Sequence, residues 1–258
     1  MEAIGALGLL RKSVEEIISG EDAVSVAYSG GLDSSILATV AKEFTTVHCY
    51  TCVVHGSFDA RNAKSRAESE SLDMTLIELT TEEIPGITLE ASTLLGTSNP
   101  TQLAYTVPVL VALKGSRERL MLAGHGADEL FGGYAKYVTA KNPEQMMADD
   151  LDKMLREGGA IARAAVALGK RAAFPFVSRE LIRYTRSLPV DRKVSASGRK
   201  ILLREVAELL DLQSHDFPKK AAQYSSGVLK EMRKLARTEG VSLSDWTSHL
   251  PDKCERSS

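Results

Sequence analysis

Apolar positions in the first half of the chain alternate between short β-type runs and stretches of helical spacing. The run "DAVSVAY" is rich in β-branched and aromatic residues, whereas Ile36, Val40 and Ala41 of the next segment share one helix face. This alternation predicts strands at 23–28, 45–54, 74–79 and 119–124, and helices at 34–43, 59–70 and 101–115. Because strands alternating with helices are typical of a parallel sheet covered on both faces, the predicted fold class is α/β, a doubly wound parallel sheet.

The pattern changes after about residue 141, where helical periodicity replaces the alternation. "EQMMADDLDKMLREGGAIARAAVALG" and "GRKILLREVAELLDL" both have the spacing of amphipathic helices. The N-terminal "MEAIGALGLLRKSVEEII" is also predicted to be an amphipathic helix, because it lacks the basic start and cleavage site of a signal peptide. We therefore expect an α/β part at 1–140 and a mostly helical part at 141–258 that packs on it and completes one site.

Composition limits the partners that the chain is expected to have. Hydrophobic residues make up 43% and charged residues 26%, and the net charge is -2. This balance does not suggest a nucleic-acid partner, and no apolar run is long enough to span a membrane. The cysteines Cys49, Cys52 and Cys254 make no disulfide framework, and the first two should point to opposite faces of one strand. The expected location is the cytoplasm.

The stretch "SGGLDSS", which joins the first strand to the next helix, has the residue types of a phosphate-binding turn. Bare backbone N–H groups and the positive end of a helix dipole should face outward there. It is neither a Walker loop, which needs a lysine, nor a dinucleotide fingerprint. Hydroxyl and amide donors to phosphate are predicted at Ser29, Gly30, Gly31, Ser34 and Ser35. Asp33 would repel phosphate directly, so it fits only with a divalent cation between them.

Several motifs resemble those of known enzymes. "SGGLDSS" resembles the signature of the PP-loop ATP pyrophosphatases, and "LAGHGADELFGGY" resembles the second motif of the asparagine synthetase C-terminal domain. "HGSFDARNA", "PFVSREL", "KILLRE" and "QYSSGV" resemble further segments of that family in the same order, so that the similarity spans about Ala23 to Val228.

The resemblance implies an adenine nucleotide alpha hydrolase-like fold and a set of ATP contacts. ATP would lie across the strand ends, and Asp33 and Asp128 would share one Mg²⁺ ion. Backbone groups near Ala27, Cys52 and Gly124 would frame the adenosine. An alternative for Asp128 is that it caps a helix starting at "ADELF".

The chain also departs from the family pattern. His125 stands where the family has glutamate, and it is either a working base for a different nucleophile or a structural histidine. The family's essential lysine falls at Ala221, next to Lys219 and Lys220, which either contact pyrophosphate or form a solvated basic pair. Ser178 replaces the aspartate of the family's "PFLD". The cysteine nucleophile of a glutaminase domain is not present, so the nitrogen is expected from ammonia, another amine or a separate ammonia-supplying subunit.

The resemblance predicts an enzyme, an ATP-dependent ligase that adenylates a carboxylate and transfers the acyl group to an amine or ammonia. AMP and pyrophosphate would be released, and the partners would be small carboxylate and amine substrates. Two alternatives stay open: a PP-loop enzyme that thiolates RNA, and a diverged protein that binds ATP or AMP without turnover. A homo-oligomer is also left open.

Overall fold

The computed structural model describes residues 1–55, 58–196, 198–212 and 226–250, with the backbone alone for 58–62. Its centre is a five-stranded parallel sheet with strand order β3-β2-β1-β4-β5. The strands are β1 (Ala23–Ala27), β2 (Thr46–Val54), β3 (Asp73–Leu79), β4 (Leu120–Leu122) and β5 (Arg171–Ala173). A separate antiparallel pair consists of β6 (Val194–Ser195) and β7 (Gly198–Arg199). This architecture confirms the predicted doubly wound sheet.

Helices cover both faces of the sheet. They are α1 (Glu2–Ile18), α2 (Leu32–Lys42), α3 (Phe58–Ser69), α4 (Ile84–Leu95), α5 (Pro100–Gly115), α6 (Ala127–Phe131), α7 (Pro143–Ala167), α8 (Arg179–Ser187), α9 (Ile201–Leu209), α10 (Val228–Thr238) and α11 (Leu243–Ser248). One core cluster joins α1, α2 and α9 to the sheet, and a second joins α4, α5 and α10 to its other face. Cys49 belongs to the first cluster and Cys52 to the second, which confirms that they lie on opposite faces of β2.

In the first half of the chain the described elements agree with the predicted ones apart from α2 and α4, whereas β5, the β6–β7 pair and helices α8, α10 and α11 of the second half were not predicted individually. Helix α2 begins at Leu32 instead of near Ser34, so Asp33 lies in its first turn. Helix α4 was not predicted, because Pro85 and Gly86 suggest a loop, although proline is well tolerated in the first turn of a helix. Strand β5 was not predicted either, since three residues show no periodicity. Strand β5 lies beyond residue 140, so the second part of the chain adds a strand to the sheet of the first part. The division of the chain at residue 140 stays a prediction.

The strand order places a crevice at the carboxyl ends of β1 and β4. From β1 the chain first builds outward through β2 and β3, and then returns to place β4 on the other side of β1. Ligands of such sheets bind where the direction of strand addition reverses. The loops after β1 and β4, which carry "SGGLDSS" and "GHGADELFGGY", therefore face each other. Among the described helices, none combines the length and apolar character that crossing a bilayer requires.

Candidate active site

The loop after β1 presents backbone to the crevice. Gly30 has φ of 66°, and a Cβ there would lie 3.0 Å from the Cα of Ala63, so only glycine fits this close approach to α3. Ser34 Oγ donates to the carbonyl oxygen of Gly31 over 3.0 Å and lies 3.3 Å from the exposed Ser29 Oγ. The loop thus leads directly into the N-terminus of α2, where amide N–H groups and the helix dipole favour an anion.

Side chains beneath the loop hold it in place. Arg66 of α3 is buried and donates to the carbonyl oxygen of Gly30. Tyr28 donates its hydroxyl to Glu70 Oε2 over 3.0 Å and lies 3.4 Å from Ser35 Oγ. Burial raises the pKa of Glu70. Ser35 is therefore placed in a network under the loop, with no exposed surface, and its predicted contact with phosphate stays a prediction.

The loop after β4 brings a second carboxylate to the crevice. Gly126 adopts φ of 90° and is the N-terminal cap residue of α6, so Asp128, in the first turn, does not cap this helix. A Cβ on Gly126 would lie 2.2 Å from Val177 Cγ1, which shows how tightly the turn is packed. The backbone also approaches α2 closely at Gly124, where a Cβ would lie 3.2 Å from the Cβ of Asp33.

Asp33 and Asp128 meet at one buried cation, the ammonium group of Lys200. Lys200 Nζ donates to Asp33 Oδ1 and lies 2.8 Å from Asp128 Oδ1. The lysine side chain is 3% exposed and the two carboxylates about a fifth exposed, at 20% and 21%. Burial lowers the pKa of Lys200, and the charge of Asp33 and its hydrogen bond oppose that shift. The two predicted metal ligands are thus brought together by the fold.

Lys200 was not identified as a site residue from the sequence, although it is the first residue of the segment "KILLRE". Its unusual backbone is visible only in the structure: Lys200 has φ of 55°, a conformation that non-glycine residues rarely adopt, immediately before α9. The neighbouring Gly133 leaves the space that the ion pair fills. A Cβ at Gly133 would lie 1.7 Å from Asp128 Oδ1 and 2.5 Å from Lys200 Cε.

These residues open on a cavity of about 380 Å³ that extends from the loop after β1 to helices α5 and α7. Of the residues predicted to be in the site, the lining includes Ala27, Ser29, Asp33, Ser34, Cys52, Gly124, His125 and Asp128. Gly30, Gly31 and Ser35 are not among the lining residues. Lys219 and Lys220 lie outside the described residues, although Ser226, which follows them in the chain, lines the cavity.

The end of the cavity beyond Asp128 is lined by carboxylates that are hydrogen-bonded to tyrosines. Tyr134 donates its hydroxyl to Glu129 Oε1 over 2.7 Å, and Tyr105 donates to Glu157 Oε2. Burial raises the pKa of Glu129, and its hydrogen bond with Tyr134 opposes the shift. Tyr105 and Glu157 were not identified from the sequence, because α5 and α7 meet only in the folded chain, whereas Glu129 and Tyr134 lie within the motif "LAGHGADELFGGY" but were given no role. They form a polar chamber suited to a small charged substrate next to the phosphate loop.

His125 is among the residues that line the cavity. Its ring is tilted against Phe174, with ring centroids 5.0 Å apart. It is partly exposed to the cavity but deep in the interior, and burial lowers its pKa to about 4. Within the part of the chain that the structure describes, His125 makes no hydrogen bond or ion pair. It is therefore neutral at physiological pH, with ring nitrogens available to a ligand in the cavity.

Ser178, which replaces the aspartate of "PFLD", has a local structural role. It is the N-cap residue of α8, and its Oγ accepts a hydrogen bond from the amide N of Leu181 over 3.3 Å. Aspartate and serine are both favoured at this position. The replacement therefore maintains a helix cap.

The two carboxylates suit Mg²⁺ bound together with a nucleotide better than a metal held by protein alone. Across the described residues, no group of three or more His, Cys, Asp or Glu side chains could hold a metal ion. Mg²⁺ is commonly held by one or two carboxylates, substrate phosphates and water. Asp33, next to the phosphate loop, and Asp128, opposite it, match that set.

Comparison with known proteins places these features in a family. A family model described as asparagine synthase matches residues 5–162. The chain is 27% identical over 90% of its length to a Methanocaldococcus jannaschii protein assigned as a glutamine-hydrolysing asparagine synthetase, and 24% identical over 85% to asparagine synthetase B of Escherichia coli. It covers 51% and 44% of those two relatives, so it spans about half the length of each.

Similarity to solved structures is weaker. The NMN synthetase of Francisella tularensis aligns over 97% of this chain and 85% of its own, with 12% identity and a TM-score of 0.46. At that level of similarity the alignment adds nothing to what the strand order already establishes.

Proposed function

Since the chain belongs to the asparagine synthase family, we propose that it is an ATP-dependent ligase that forms AMP and pyrophosphate. A substrate carboxylate would attack the α-phosphorus of ATP, pyrophosphate would leave, and a nitrogen nucleophile would then take the acyl group and displace AMP. The observation that carries the proposal is the meeting of Asp33 and Asp128 at the mouth of a phosphate-type loop, on a cavity large enough for substrates.

The loop from Ser29 to Ser35 would hold the pyrophosphate part of ATP through its amides and the N-terminus of α2. The backbone of Ala27, Cys52 and Gly124, all on the cavity wall, would lie along the adenosine. Asp33 and Asp128 would hold Mg²⁺, which supplies positive charge to the departing pyrophosphate. Lys219 and Lys220 would add positive charge from the segment before Ser226.

His125 would serve as the base for the nitrogen nucleophile. An amine must lose a proton as it attacks, and a neutral imidazole can take that proton. Burial lowers the pKa of His125 to about 4, so the ring is neutral at physiological pH but a weak base, and the negative charge of a bound nucleotide would have to stabilise the proton that it accepts. The nitrogen source would be ammonia, an organic amine or ammonia from a separate subunit. The pyrophosphate-release assay is therefore run with ammonia and with amines.

The RNA-thiolating alternative gains no support from the described cysteines. Burial raises the pKa of both the Cys49 and the Cys52 thiol to about 12, so neither is a thiolate near neutral pH. Thiolate character is what sulfur transfer by a cysteine needs. We therefore favour the amide ligase.

The test is pyrophosphate release measured across a panel of carboxylates, each with and without ammonia or an amine. We expect release that depends on a carboxylate, with AMP formed in equal amount, and loss of release in Asp128→Asn. Asp152→Asn, which removes the same charge from an exposed position on α7, is the matched control and should keep full turnover. Release that required tRNA would favour the thiolating enzyme, and ATP binding without turnover across the panel would favour the diverged binding protein.

A further inference from the structure

Lys200 occupies the place between the two carboxylates that the proposed function gives to the metal. Its Nζ contacts Oδ1 of both Asp33 and Asp128, and its side chain is 3% exposed. The carboxylates are thus already neutralised in part by a cation that belongs to the chain. This arrangement is built by the fold, because Asp33 and Lys200 are separated by 167 positions in sequence.

A divalent ion and the ammonium group cannot share that place without strong repulsion. Like charges at hydrogen-bond distances repel, and the repulsion is strengthened where water is excluded. In the nucleotide-free protein, free metal would have to displace Lys200 from both carboxylates and leave its buried charge without the two oxygens that it contacts. ATP changes this balance, since its phosphate oxygens bring enough negative charge for both the metal and the ammonium group.

We propose that Lys200 is a positioning residue that holds Asp33 and Asp128 together before the nucleotide arrives, and that it prevents Mg²⁺ from binding until ATP is present. The inference rests on the proposed metal site. When metal and ATP enter together, the ammonium group moves from the carboxylates toward the phosphates. The flexible four-carbon stem of lysine allows such a shift, which the planar guanidinium of arginine would make less easily. Metal binding is therefore coupled to nucleotide binding through one side chain.

The first test measures Mn²⁺ binding to the wild-type protein by electron paramagnetic resonance, without nucleotide and with α,β-methylene ATP. We expect binding only with the nucleotide analogue. Lys200→Arg keeps the positive charge, so it should also exclude Mn²⁺ without nucleotide. With the analogue it should bind Mn²⁺ more weakly than the wild type, because the guanidinium leaves the carboxylates less easily. Tight binding of Mn²⁺ to the nucleotide-free wild type, abolished by Asp128→Asn, would overturn the inference and leave the proposed metal site intact. Absence of Mn²⁺ binding under both conditions would instead count against the metal site itself.

The second test uses Lys200→Met, which removes the ammonium group from between the two carboxylates. We expect Mn²⁺ to bind the nucleotide-free variant about a hundredfold more tightly than it binds the wild type, because the metal no longer has to displace the ammonium group. Mg²⁺ should raise the melting temperature of this variant alone. The matched control is Lys193→Met, which removes another buried lysine whose Nζ donates to the carbonyl oxygen of Thr185.

A purely structural role for Lys200 would destabilise the variant without creating metal affinity. If Lys200→Met gains no Mn²⁺ affinity over the wild type, the inference is wrong. Lys200→Met combined with Asp128→Asn should lose the gained affinity, which identifies the carboxylates as the ligands. If Lys200→Met does not fold, the wild-type measurement decides alone.

Discussion

Gly133 offers the sharpest test of the ion-pair geometry, because it lies beside the carboxylates and has no unusual backbone angle. A Cβ at this position would lie 1.7 Å from Asp128 Oδ1 and 2.5 Å from Lys200 Cε. Gly133→Ala therefore cannot be accommodated unless the Asp128 carboxylate rotates away from the lysine. Since Gly133 is not among the residues with positive φ, any cost comes from this clash and not from backbone strain.

Two known costs bracket the loss of stability that we expect for Gly133→Ala. Overpacking a filled site costs about 1–3 kcal/mol, and removing one partner of a buried ion pair costs about 3–5 kcal/mol. Because Lys200 would keep Asp33 as a partner, we expect a loss between these limits, about 2–4 kcal/mol in the free energy of unfolding. For a chain of this size, each kcal/mol lowers the melting temperature by about 2–4 °C.

The assay is urea denaturation followed by circular dichroism, with Gly198→Ala as control. A Cβ at Gly198 would meet nothing within 4 Å, so the control should stay within about 0.5 kcal/mol of the wild type. A double-mutant cycle with Asp128→Ala then identifies the clash, because Gly133→Ala should cost about 1 kcal/mol less in that background. Equal costs in both backgrounds, or a Gly133→Ala variant as stable as the control, would refute the reasoning.

Three further predictions follow from local contacts. Ser178→Ala should lose about 1 kcal/mol of stability through the lost cap on the amide of Leu181, whereas Ser178→Asp should keep the wild-type value in the same denaturation assay. Tyr28→Phe should lower the free energy of unfolding by about 1–2 kcal/mol, because it removes a hydrogen bond to the half-buried Glu70. Chemical denaturation measures this loss. The pKa of His125 is lowered from 6.5 to about 4, so the unfolded chain takes up its proton first as the pH falls. The contribution of the neutral His125 to stability is therefore present above about pH 6.5 and is lost as the pH falls towards 4. The melting temperature of His125→Gln should fall less than that of the wild type over this pH interval. An equal fall in both proteins would contradict the lowered pKa.

The local pattern was sufficient to predict the sheet and the two loops that define the crevice. Strands β1 to β4 have β-branched or apolar runs of normal composition, and the order of strands and helices specifies a parallel sheet. It was not sufficient for β5, whose residues Arg171–Ala173 carry no strand signal. That strand forms because its backbone can pair with β4, which is a property of the assembled sheet and not of its own residues.

The candidate site shows the same division between local and long-range information. Asp33 and Asp128 could be selected because each follows a strand in a recognisable loop, and the carboxyl ends of β1 and β4 lie side by side. Lys200 could not be selected on that basis, because its position depends on the packing of α9 against helices formed far earlier in the chain. Motifs at strand ends are short and contiguous, so they are recognisable from the sequence. The lysine that contacts both carboxylates is brought there only by the fold, so short motifs reveal the carboxylates but not the charge placed beside them.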